Sequence, residues 1–163
     1  MLQEELLRSV FIDPWHGASL KEILENVLPE KVIIKPDSNT HSIIEITLHI
    51  NSWTEEVLSR FNGNVPYTPV SGDWPVIEND TPQYWQDVKQ KVYDTTNKLI
   101  AVIDKFPESK LNEIVGGGRN AALGTGFTFY GMTLGLIQHN AYHSGQISLL
   151  IKQIDPLNQQ FSH

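Results

Sequence analysis

Apolar residues recur along the chain at helical rather than strand spacing, and the breaks between runs fall at proline, glycine and asparagine. Leu2, Leu6, Leu7, Val10 and Phe11 predict a helix over residues 2–12, which Asp13-Pro14 interrupts. Pro14-Trp15-His16-Gly17 reads as a turn. A short helix from about Ser19 follows, with Leu20, Ile23, Leu24, Val27 and Leu28 as its stripe and Pro29 as its end. Residues 31–40 hold Pro36, Asp37, Ser38 and Asn39 and read as a loop. Ser42-Ile43-Ile44-Glu45 is a capping-box pattern, in which the hydroxyl takes a backbone N–H and the carboxylate reaches back. The helix it opens runs to about Phe61, with Asn62-Gly63 as its stop. Ile43, Ile46, Ile50, Trp53, Val57 and Phe61 are its buried stripe.

The connection over residues 64–79 carries Pro66, Pro69, Gly72, Asp73, Trp74 and Pro75. Loops of this length in small domains often cover a site. Thr81-Pro82 then starts a helix, Thr81 as cap and Pro82 at the first position. Trp85, Val92, Leu99 and Phe106 repeat every seven residues, with Val88, Thr95 and Val102 between them, as in the seam of a helical bundle. Val115-Gly-Gly-Gly-Arg119 through Gly126 matches no phosphate-binding loop and reads as a turn or short hairpin. A last long helix spans about Thr128 to Ile154, stopped by Asp155-Pro156. The expected architecture is all-α: a four-helix bundle in a single domain over residues 1–163, with a short N-terminal helix and long loops.

The last helix holds His139-Asn140-Ala141-Tyr142-His143. At ~100° per residue the two histidines share a face with Met132, Leu136, Gln146, Ile147, Leu150 and Ile154. Two stacked, inward imidazoles suit a borderline divalent metal such as Zn²⁺ or Ni²⁺. From the pair alone, two buried histidines satisfied by hydrogen bonds is an equally good reading. His49 changes the balance. It lies at the edge of the capping-box helix's stripe, near Glu45, Trp53 and Glu56. There one ring nitrogen can face the core while the other meets a polar partner. His49, His139 and His143 supply the three ligands of an open, catalytic-type site.

Composition narrows the chemistry. Twelve Lys and Arg against 19 Asp and Glu give a net charge of −7, which argues against nucleic-acid binding. The absence of cysteine removes disulfides, thiolate ligands and a cysteine nucleophile, and fits a reducing, cytoplasmic setting. The N-terminus lacks the basic region of a signal peptide, and no run reaches the ~18 apolar residues of a membrane span. Paired Glu-x-x-His motifs of a di-iron bundle, a His-Glu-x-x-His helix and a Gly-x-Ser-x-Gly elbow are all missing. Ser144 adjoins His143, but helix neighbours point about 100° apart.

The surrounding residues have more ordinary expected roles. Glu45 is accounted for by the capping box, Glu56 by a solvated helix face and Trp53 by the core. Trp15 and His16 belong to a turn. Gln146 suits a hydrogen bond inside the site or one to a neighbouring helix equally well.

His41-Ser-Ile-Ile-Glu-Ile-Thr-Leu-His49-Ile-Asn-Ser-Trp53 and Leu136-Ile-Gln-His139-Asn-Ala-Tyr-His143-Ser-Gly-Gln146-Ile, together with Pro14-Trp-His-Gly17, closely resemble the DinB/YfiT-like superfamily of metal-dependent enzymes. The similarity covers nearly the whole chain. It implies a four-helix bundle with an unusual connection order, frequent homodimers, and a divalent metal, Zn or Ni before Fe or Mn, held by His49, His139 and His143. It also implies thiol-dependent transferase or isomerase chemistry with a low-molecular-weight thiol such as bacillithiol or mycothiol. With the metal activating either a thiol or a water, the expected function is an S-transferase or a hydrolase acting on a small molecule. The rival is a non-catalytic bundle with a structural or vestigial metal site, which a fourth protein ligand would close.

Overall fold

The computed structural model describes residues 2–12, 14–15 and 17–154. Helices begin where a side-chain oxygen can take the unpaired N–H groups of a first turn. Ser19 does so for α2 (Leu20–Glu25), Thr81 for α4 (Pro82–Lys105) and Thr128 for α5 (Phe129–Ile154). Ser42 and Glu45 form the full reciprocal capping box of α3 (Ile43–Phe61). With α1 (Leu2–Phe11), these are the helices of the described chain. Three-residue 3₁₀ turns follow α2 and α4. The expected stop at Asp155-Pro156 and the turn residue His16 lie outside the described residues.

Four helices close a ring: α1 packs on α4, α4 on α3, α3 on α5 and α5 back on α1. The short α2 braces α1 and α5. This is a four-helix bundle in which the third helix in sequence touches both helices that follow it. Leu6, Leu24, Ile43, Ile50, Trp85, Leu99 and Ile147 fill the interior. Among the described residues no helix is long and apolar enough to cross a membrane. The only strand-like pairing described is an isolated antiparallel bridge between Ile114 and Thr128, which pinches the glycine-rich segment into a short hairpin.

The predicted seam of α4 is buried from Trp85 through Leu99. Phe106 departs from it. It follows the last helical residue and wedges its ring between Phe61 and Phe129, with centroids 4.9 and 4.8 Å away. Leu28 likewise leaves the predicted stripe and is exposed, because α2 stops at Glu25. The Asn26 amide there donates to the Glu22 carbonyl.

α3 is buried far beyond its apolar stripe, with Thr47, Ser52, Thr54, Glu56 and Arg60 inside. Glu56 is therefore not on a solvated face, and the physical reason is the two long loops that cover it. Its Oε1 accepts from Arg60 Nε and from the Tyr67 backbone N–H, both at 2.9 Å. Arg60 Nη2 donates to the Leu123 carbonyl at 2.7 Å, and Nη1 reaches Gly124 O at 3.4 Å. One buried ion pair thus fastens both loops to one helix. Removing one partner of a buried pair strands the other charge, at a typical cost of about 3–5 kcal/mol. Glu56→Ala is expected to lower unfolding free energy by about that much in urea titration. A loss near that of an exposed pair, about 0–1 kcal/mol, would show that the pair does not hold the loops.

Candidate metal centre

The ring order places α3 against α5, and that contact brings His49 to His139 and His143. One ring nitrogen from each lies within 4.8 Å of the others, a group that could hold a metal ion. The ring centroids are 4.4 Å apart for His139 and His143, 4.8 Å for His49 and His143, and 4.9 Å for His49 and His139. His49 and His143 are each only 6% exposed.

The outward nitrogens are held separately. His49 Nδ1 donates to the Asp73 backbone carbonyl at 2.6 Å, which fixes its tautomer and leaves the Nε2 lone pair facing inward. The Asp73 carboxylate stands 3.3 Å from the same Nδ1, on the outer side. His143 Nδ1 pairs with Gln146 Oε1 at 2.6 Å, one helical turn on. Of the two readings open for Gln146, the structure has the bond inside the site. His139 lacks such an anchor: its Nδ1 is buried with no hydrogen-bond partner.

The inward side fits a cation. His49 Nε2 and His139 Nε2 face each other at 3.0 Å. Since His49 offers a lone pair there, His139 must either turn its N–H inward, leaving a bare Nδ1 acceptor, or turn N–H outward and oppose two lone pairs. A divalent ion satisfies inward lone pairs from all three rings: tetrahedral Zn–N bonds of about 2.0–2.1 Å set nitrogens about 3.3 Å apart, so the 3.0 Å pair opens slightly while the third nitrogen, within 4.8 Å, draws in. Charge points the same way. Burial pushes His139 down to about 4, with His143 and His49 adding to the shift. Burial also lowers His143, against the Gln146 hydrogen bond and with help from His49 and His41. Neutral imidazoles are the form that binds metal.

Residues 64–79 cover the centre, as their length predicts. Trp74 stacks on His49 at 4.1 Å and 11°, and on its other side His41 stacks at 3.6 Å and 4°. Trp53 Nε1 donates to Asp73 Oδ1 at 2.6 Å, and Ser52 Oγ binds the Gly72 carbonyl and Ser71 Oγ. Trp53 is thus half-buried and forms a cavity wall rather than core. Asp73, Trp74 and His41 escape sequence reasoning because an irregular loop has no period. The one available signal was the loop's length. Glu45 holds its cap, binds Lys35 at 2.8 Å and stands 3.6 Å from Nδ1 of His41, the outer ring of the stack over the centre. Trp15 is fully exposed.

Two cavities flank the histidines. One, of about 470 Å³, runs between α3 and α5 to His139 and has mostly apolar walls. The other, of about 490 Å³, reaches His143 and Gln146 and is edged by Asn39, Thr40, His41 and Gln153. Asp73 is bonded to a wall of the first cavity and Trp74 is a wall of the second.

The lowered imidazoles set a pH dependence for the metal-free chain. Ordinary histidine titrates near ~6.5, so the unfolded chain takes up protons before the folded one as pH falls. Stability is expected to be full above that value and to decline toward the folded value of about 4 for His139. Melting temperatures of chelated protein should fall over this window, and His139→Asn should flatten the decline. Parallel curves for the two proteins would contradict the assignment.

A family model described as the DinB superfamily matches residues 15–147, a span that holds all three histidines and the covering loop. No curated protein and no solved structure matches the chain. With most of its length matched, the chain belongs to the DinB superfamily.

Proposed function

We propose that the protein is a metal-dependent enzyme acting on a small molecule, with His49, His139 and His143 as ligands to one divalent ion, Zn or Ni before Fe or Mn. The observation that carries this is the convergence of three rings, two buried and His139 half-buried, whose outward nitrogens are tied off on His49 and His143. Among the described residues the group has three members, and the nearby Asp73 carboxylate lies on the outer side of His49. A structural site would be closed by a fourth ligand, whereas three leave room for a reactant. When bound, such a metal supplies Lewis acidity that makes a water or a thiol a nucleophile at neutral pH.

The reaction we favour is S-transfer from a low-molecular-weight thiol, with hydrolysis as its competitor. With no cysteine in the chain, the sulfur has to arrive on a small molecule. The cavity at His143 and Gln146, whose walls mix polar and apolar groups, gives it room beside the centre. In that reaction the thiol sulfur forms a bond to an electrophilic carbon, the leaving group departs with the bonding pair, and the thiol proton passes to solvent. The chain's part is to orient and to shield. Asp73 and Gln146 hold two rings in place, and the Trp74 indole keeps water off one face of His49.

Elemental analysis of purified protein should find about one divalent ion per chain, falling severalfold in His139→Ala and His143→Ala. Unchanged stoichiometry in both would sink the proposal. Screening thiols against electrophiles, with water-only controls, separates transferase from hydrolase. Chelation should lower the melting temperature, since metal at a hundredfold over its Kd adds about 2.7 kcal/mol. It should leave the helical circular dichroism at 25 °C intact, because the apolar core does not pass through the site. Unfolding by chelator would mark the site as structural.

A further inference from the structure

The geometry points to the cavity between α3 and α5 as the seat of the second reactant, an uncharged electrophile with an apolar or aromatic body. The inference rests on the proposed function for its chemistry and on the cavity alone for its binding. Among the α5 residues that line this space, Gly131, Met132, Gly135 and His139 follow helical spacing and lead to the centre. Trp53 and Val57 of α3 form the opposite wall.

Gly135 lines this space at its exposed edge, and a Cβ built on it would meet nothing within 4 Å, so no neighbouring side chain closes the space there. Glycine inside a helix costs roughly 0.5–1 kcal/mol relative to alanine, and here it leaves a wall open. At about 470 Å³ the cavity is within the usual range of small-molecule pockets, roughly 300–1,000 Å³.

Its polar groups set the ligand class. Arg60 is at one end, but its charge is matched by Glu56 and its guanidinium is spent on loop carbonyls. No free charge is thereby offered to an ionic ligand, while the Trp53 ring and Met132 suit an aromatic one. The cavity at His143 and Gln146 shares no lining residue with this one, so two reactants can approach the three histidines without sharing a pocket.

The test uses full-length protein and N-phenyl-1-naphthylamine, a neutral aromatic probe whose fluorescence rises in apolar surroundings. Wild type should bind it saturably at about one equivalent. Gly135→Leu, which fills the open space and favours the helix, should weaken binding at least tenfold, and Gly135→Ala should fall between. Gly145→Leu adds the same side chain to the same helix at a position exposed like Gly135 but outside both cavities, and should bind within twofold of wild type. Metal content is measured on every preparation. Equal probe binding by Gly135→Leu and wild type, or no saturable binding by wild type, overturns the inference. A dimer of wild type that takes up no probe and dissociates in Gly135→Leu also overturns it, assigning the space to a second copy of the chain. If no preparation holds metal yet Gly135→Leu still loses the probe, the apolar site stands and the metal reading falls separately.

Discussion

The bond from His49 Nδ1 to the Asp73 carbonyl is the constraint on which the centre depends. A backbone carbonyl can only accept, so it dictates which nitrogen of His49 carries the proton and which points inward. It also pins the covering loop to α3, and the neighbouring contacts follow from that register. Asp73 meets Trp53, Ser52 meets Gly72, and Trp74 drops between His49 and His41. Orientation of the His49 ring and closure of the cover are therefore one event here.

The helical frame was largely legible in the sequence because packing against other helices leaves a period. The capping box at Ser42, the stripe of α3 and the seam of α4 down to Leu99 all report burial of one helix face on another. The three histidines were legible for the same reason, as residues on such faces. Glu56 was not. Nothing in helical spacing says that a loop rather than water will cover the far face of α3, and a buried glutamate is written with the same letter as a solvated one. Trp53 illustrates the converse, since an aromatic on a buried stripe can end at the stripe's open edge and wall a cavity.

The loops themselves were legible only in outline. Their glycines announced turns, and positive φ at Gly116, Gly117, Gly124 and Gly126 bears that out. Their partners were invisible, because Arg60 reaches Leu123 and Gly124 across more than sixty residues of chain. Local pattern carries no record of contacts made at that separation.

One consequence of the Glu56–Arg60 pair concerns motion. The covering loop and the glycine-rich hairpin share this anchor, through Tyr67 on one side and Leu123 and Gly124 on the other. They also touch directly: a Cβ on Gly116 would come within 2.8 Å of Pro66 and 2.9 Å of Thr125. Segments coupled in this way open as a unit rather than fraying one residue at a time. Amide exchange in the two loops is then governed by a common opening equilibrium, although some fifty residues of chain separate them. The loop that lays Trp74 over the three histidines opens on that same equilibrium, so a pair buried toward the C-terminal end of α3 sets how often the cluster is uncovered.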